Sequence, residues 1–167
     1  MTVFLALNLG KEQSVPIARK VIAIFQRLNV QVILEKRAFP FFQQETFVRF
    51  MLQNDALSEC DIIITIGGDG TILHIARYSL GSGKPLFGME TKLARLVKGD
   101  YTLDQRRLLS VSVQGKNTFQ KYALNDLVVF KRSIAQTVDV QIWCDDILVN
   151  HYQGDGVVVA TPTGSTA

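Results

Sequence analysis

The sequence predicts an α/β layer with a parallel sheet, followed by an all-β region. Three observations carry that prediction. Short apolar runs at residues 3–9, 30–34 and 61–66 alternate with segments of helical spacing. The third run ends in a glycine turn, GGDGT, that leads into another helical segment. After about residue 100, helical spacing gives way to short strands separated by Gly, Asn and Asp turns.

In chain order, VFLALNL (3–9) is short and apolar and reads as a buried strand; the polar loop GKEQSVP follows. Residues 17–28 carry Ile17, Val21, Ile24, Phe25 and Leu28 at helical spacing, with Arg19, Lys20 and Arg27 between them. VQVIL (30–34) reads as a second strand. Residues 39–60 read as a loop followed by helix-like segments, with their Phe and Met side chains in the core. DIIITI (61–66) reads as a third strand, buried on both faces, and TILHIARYSL (71–80) as the helix after the glycine turn. The second half supplies RLLSVSVQG, ALNDLVVFK, TVDVQIWCDDILVNHY and GDGVVVATP as strands, with a hairpin turning at Asp145 and Asp146. The boundary falls near residue 100, giving an α/β nucleotide-binding domain over 1–100 and a β domain over 101–167.

Composition narrows the function classes. The chain has 167 residues, 47% of them hydrophobic, which suits a packed core and excludes a disordered chain. The net charge of +3 is mild and no basic cluster stands out, so a nucleic-acid partner is not expected. Cys60 and Cys144 lack metal-ligand spacing and read as buried or half-buried thiols in a reducing compartment. No apolar run approaches the ~18 residues of a membrane span, and no basic segment precedes the first apolar run. The expectation is a cytoplasmic protein with no membrane partner.

The glycine turn carries the chemistry. A parallel strand that enters a helix through glycines presents free N–H groups and a partial positive charge. Glycine lets the backbone approach a phosphate, because no Cβ intervenes. Gly67, Gly68, Gly70 and Thr71 therefore read as phosphate-binding, and His74, three residues on, is within reach of the same group. The spacing is neither that of a P-loop nor that of the G-x-G-x-x-G fingerprint. Asp69 is the odd residue, since a carboxylate repels phosphate. It can accept a proton from an attacking hydroxyl, hold a divalent ion that bridges phosphate oxygens, or simply cap the helix. Asn125 and Asp126 pair an amide with a carboxylate, suited to a ribose or a base edge but equally to a plain turn. TPTGSTA (161–167) supplies small hydroxyl and glycine residues after the Asp155-Gly156 strand, for a ligand's close approach or for a helix cap.

GGDGT (67–71), LND (124–126), and Asp155-Gly156 with TPTGSTA (161–167), in this order, resemble the NAD kinase family over most of the chain. GGDGT alone is shared with lipid kinases and phosphofructokinases; TPTGSTA is the more specific element. The resemblance implies transfer of a phosphoryl group from ATP, or in some members inorganic polyphosphate, to the 2′-hydroxyl of the adenosine ribose of NAD, giving NADP. It implies a divalent cation, usually magnesium, with no protein side chain assigned as its direct ligand. It also implies a homo-oligomer, dimer or tetramer, in which a neighbouring subunit completes the NAD site. By position, Asp69 matches the proton acceptor, and Gly70 lies against NAD. Asn125 and Asp126 match the pair on a ribose and base of the dinucleotide. Asp155 matches a contact from the second domain, and Thr163, Thr166 and Ala167 match the loop lining the adenine pocket. Gln153 stands where many members have a basic residue.

Two departures from the family pattern set further expectations. An active-site loop that family members carry after the segment ending at Met89 is absent, and ETKLARLVKGDY (90–101) reads as the helix that follows it. Family members also continue past TPTGSTA with most of the β-sandwich, so an incomplete sandwich with open sheet edges is expected. The alternatives are a catalytically inactive NAD- or nucleotide-binding module, and a lipid or sugar kinase sharing only the GGDGT turn.

Overall fold

The computed structural model describes residues 1–88 and 93–166. Two compact units divide the chain, Met1–Asp104 and Gln105–Ala167.

In the first unit, five parallel strands form one sheet: β1 (Thr2–Leu7), β2 (Gln31–Glu35), β3 (Val48–Met51), β4 (Ile62–Ile66) and β5 (Leu86–Gly88), in the order β3-β2-β1-β4-β5. The connections carry α1 (Ser14–Arg27), α2 (Gln53–Glu59) and α3 (Asp69–Tyr78), and α4 (Leu93–Val97) follows β5. Side-chain alternation along β1 explains the layering. Val3, Leu5 and Leu7 pack with Ala18, Val21, Ile22 and Phe25 of α1 and with Leu96 of α4. Phe4 and Ala6 point the other way, to Ala56 and Leu57 of α2 and Ile75 of α3. Both faces are covered, which is why β1 and β4 read as continuous apolar runs. The strand order reverses at β1/β4, so the crevice at their carboxyl ends is the ligand position such sheets offer.

Several elements differ from the sequence reading. Within residues 39–60 a strand, β3, precedes the helix, and Lys36–Phe41 forms a 3₁₀ turn. Arg49 on β3 hydrogen-bonds the Glu59 carboxylate of α2, and this bond holds that carboxyl below its usual range. Phe42 is fully buried, but Phe39 and Phe41 are exposed. β5, three residues long, is a strand the sequence reading did not include. On α1 the buried stripe is Ser14, Ala18, Val21, Ile22 and Phe25, while Ile24 and Leu28 face outward. The small, buried Ser14 and Ala18 let the helix lie close to the sheet. Asn29 takes a left-handed conformation (φ 53°) just past the helix end, where Gly or Asn is favoured.

The second unit is built of antiparallel ladders. β6 (Leu109–Val113) pairs with β7 (Phe119–Ala123), β8 (Asp126–Phe130) with β11 (Gly156–Ala160), and β9 (Val138–Cys144) with β10 (Ile147–Gly154). The hairpin between β9 and β10 turns at Asp145 and Asp146, both at positive φ (48° and 63°), the conformation that matches the strand twist. β7 is a further strand that the sequence reading lacked. Cys60 is buried as expected; Cys144 is exposed, and Trp143, expected to pack, is 58% exposed. No described helix is long and apolar enough to cross a membrane. The expected loop deletion after Met89 falls on residues outside the described ones.

Candidate active site

The first cluster lies at the carboxyl ends of β1 and β4. After Ile66 the chain makes two glycine steps and enters α3 at Asp69. Gly68 has extended backbone and caps the helix: its carbonyl accepts from the N–H of Thr71 (2.8 Å) and of Ile72 (3.3 Å). Gly67 is required by packing, because a Cβ there would strike the Thr71 side chain. The Lys11 Nζ lies 3.0 Å from where a Gly68 Cβ would sit, so the amine rests over the glycine backbone. At Gly70 a Cβ would meet nothing within 4 Å; this face of the turn is open. The Asp69 side chain is exposed in the first turn of α3.

The loop after β1 faces this turn. Asn8 donates its N–H to the Ile66 carbonyl (2.9 Å), which holds the two strand ends together. Its side-chain oxygen accepts from the Gly10 N–H (3.1 Å) and shapes the loop. Between them is a cavity of about 330 Å³ lined by Asn8, Gly10, Arg37, Gly70, Thr71 and His74, among others. Arg37, just past β2, is held by an ion pair of 2.6 Å with Glu35. A hollow with glycine backbone, the first turn of a helix and the Arg37 guanidinium in its lining suits a chain of phosphates. Of the predicted residues, Gly70, Thr71 and His74 line it, while Gly67 and Gly68 build the turn behind it. Asn8, Gly10, Lys11 and Arg37 were not singled out from sequence. The signal for Asn8, Gly10 and Lys11 was their place directly after the first strand.

The second cluster belongs to the second unit. The Thr161 hydroxyl donates to the Leu124 carbonyl (2.6 Å) and accepts from the Gly164 N–H (3.0 Å). The Thr161 N–H donates to the Asn125 carbonyl (2.8 Å), and Ala160 pairs with Asp126 in the β8–β11 ladder. A Cβ at Gly164 would overlap the Asn125 backbone, so only glycine fits where the two loops meet. LND and TPTGS, distant in sequence, are thus one surface. Asp126 is exposed on it. The Thr163 hydroxyl accepts from Arg106 (3.1 Å), and Thr166 donates to the Thr163 carbonyl (3.5 Å). Asp155 lies at the opposite end of the same ladder, five residue pairs away, and its carboxylate is 2.5 Å from the Lys131 Nζ. Ala167 lies outside the described residues. His151 is exposed and 2.6 Å from Asp139.

The family model of the ATP-NAD kinase N-terminal domain matches residues 3–91, and that of the ATP-NAD kinase C-terminal domain matches residues 124–167. The chain belongs to the NAD kinase family. An NAD kinase of Hydrogenovibrio crunogenus is 32% identical over 174 residues, covering 93% of this chain and 60% of that protein. One of Nitrosococcus oceani is 34% identical over 149 residues, covering 77% and 49%. A crystal structure of yeast NADH kinase complexed with NADH superposes with a TM-score of 0.85 at 19% identity, over 100% of this chain and 59% of that one. The chain thus spans between about half and 60% of the length of these relatives. The two family matches cover both clusters, GGDGT in the first and LND with TPTGSTA in the second.

Proposed function

We propose that the chain serves phosphoryl transfer from ATP, or from polyphosphate, to the 2′-hydroxyl of the adenosine ribose of NAD, giving NADP. The observation that carries this reading is Asp69 at the start of α3, exposed beside an open glycine turn and a cavity lined by Arg37 at the switch point of the sheet. In this reading the Asp69 carboxylate takes the proton of the 2′-hydroxyl as its oxygen attacks the terminal phosphorus. The bond from that phosphorus to the donor's bridging oxygen breaks, and the shortened donor leaves. The turn's N–H groups and Lys11 offset the phosphate charge, and His74 is placed to hydrogen-bond a phosphate oxygen. Asn125 and Asp126 hold a ribose and base edge, Thr163, Thr166 and Ala167 line the adenine, and Asp155 makes a contact at the far end of its ladder.

Among the described residues no three His, Cys, Asp or Glu side chains cluster as a metal cage. Magnesium in phosphoryl-transfer sites is held largely by substrate phosphates and water, so no direct protein ligand is assigned to it; the ion would neutralise phosphate charge. A cytoplasmic homo-oligomer, dimer or tetramer, accompanies the reading.

The test is incubation with NAD, ATP and magnesium, with NADP read by an NADP-specific dehydrogenase. Asp69→Asn is expected to lose about 10²- to 10⁴-fold in rate while still binding NAD. Binding of NAD with no NADP formed by the unaltered chain would instead make it a binding module.

A further inference from the structure

Asp155 is the single residue between the end of β10 at Gly154 and the start of β11 at Gly156. Its backbone is fastened on both sides. The Asp155 carbonyl accepts from the Lys131 N–H (2.8 Å), and the Gly156 carbonyl accepts from the Tyr152 hydroxyl (3.1 Å). A Cβ at Gly156 would overlap the Val129 carbonyl, so the start of β11 is seated against β8 with no slack. Lys131, just past β8, then reaches the same aspartate a second time. Its Nζ lies 2.5 Å from Asp155 Oδ1 and also donates to the Ile134 carbonyl (3.3 Å).

The two ionic partners are unequally placed. The Lys131 side chain is 15% exposed and the Asp155 side chain 65%. A largely buried ammonium must be paired. An exposed carboxylate is solvated and needs no such partner, and with one partner this open the pair adds little to stability. What it fixes is a direction. One oxygen of the carboxylate is turned to the lysine, and the group stays open on its other side. An unheld aspartate would give up rotamer freedom on meeting a ligand; one held beforehand does not, and binding is tighter for it. An ionised carboxylate only accepts hydrogen bonds, so a group held in this way suits the hydroxyl and amide donors that NAD carries. Lys131 belongs to neither the LND nor the TPTGSTA motif.

Resting on the reading above in which Asp155 contacts NAD, we infer that Lys131 is a positioning residue for that contact. Its ammonium fixes the Asp155 carboxylate with the open side toward the donors of the dinucleotide. Lys131 itself does not touch the substrate.

The experiment measures kcat and KM for NAD, with ATP and magnesium in excess, in the full chain, in Lys131→Met, Lys131→Arg and Asp155→Asn, and in Lys131→Met combined with Asp155→Asn. Thermal melts check that each variant folds. Should Lys131→Met not fold, Lys131→Gln takes its place in the same cycle. Asp155→Asn is expected to raise KM for NAD about tenfold, the loss of one hydrogen bond to a charged group. Lys131→Met raises it severalfold with kcat retained, as when binding common to ground and transition states is lost. Lys131→Arg, which keeps the cation, restores it. In the combined variant KM equals that of Asp155→Asn alone, because the lysine acts through the carboxylate. An unchanged KM in Lys131→Met, a loss confined to kcat, or effects that add in full in the combined variant overturn the inference. If the unaltered chain forms no NADP, the kinase reading fails by itself. Calorimetric titration with NAD then decides the same cycle: affinities in which Asp155→Asn hides the Lys131→Met effect support the inference, and additive effects or no binding of NAD overturn it.

Discussion

Gly70 and Gly164 stand in the two clusters and are glycines for opposite reasons. At Gly164 the space a side chain would need is filled by the backbone of Asn125, so the residue serves the fit of the chain to itself. At Gly70 the space is empty, so the packing of the chain does not demand glycine there, and in the kinase reading a ligand enters it. Gly67 is of the first kind, with Thr71 as its neighbour. A glycine-rich motif therefore mixes two demands that its letters do not separate: close packing that shapes the site, and openness that admits a ligand.

Substitutions separate the two demands. Gly164→Ala should have the largest effect on stability, about 3 kcal/mol, because overpacking against backbone cannot be relieved by a rotamer change. Chemical denaturation followed by near-UV signals would show it, and a loss under 1 kcal/mol would mean the two loops can part. Gly67→Ala should cost less, about 1–2 kcal/mol, since the atoms it meets belong to a side chain; a midpoint shift matching that of Gly164→Ala would erase the distinction. Gly70→Ala should leave stability unchanged or raise it by about 0.5 kcal/mol, as alanine is the better helix former. It should nonetheless raise KM for a substrate about tenfold, some 1.4 kcal/mol, and unchanged kinetics would remove the open turn from the site. The smallest effect concerns the thiols. Cys60 is buried in the first unit, and burial pushes its thiol pKa up, whereas Cys144 is exposed in the second. At mildly alkaline pH a thiol reagent should label Cys144 in the folded chain and Cys60 only on unfolding; comparable rates would contradict the packing around Cys60.

What the sequence disclosed follows from how strongly each element departs from a mixed pattern. β1, β2 and β4 are apolar runs between helical segments, and GGDGT marks the turn beyond the last of them, so the parallel layer was legible. β3 (Val48–Met51) is a short edge strand with Arg49 in it, β5 is three residues ending in glycine, and β7 sets Gln120 and Lys121 between Phe119 and Tyr122 without alternation; none has an apolar run to announce it. Trp143 misled because a large apolar residue in a strand reads as core. On the ladder of β9 and β10 it is open. In the site, the motif residues were visible as letters. Asn8, Lys11 and Arg37 were not, because the fold brings them to GGDGT from two other strand ends. The join of Leu124 and Asn125 to Thr161 and Gly164 was likewise invisible, since it is made by a hydroxyl and by backbone groups.

That join has an engineering consequence. The hairpin of β9 and β10 lies in sequence between the two loops, yet the loops are fastened to each other by Thr161 and by the β8–β11 ladder and not through the hairpin tip. Asp145 and Asp146, exposed at that tip, are therefore a splice point: a fluorescent reporter or an affinity handle inserted there would extend the hairpin while the surface shared by Asn125, Asp126 and Thr163 keeps its shape.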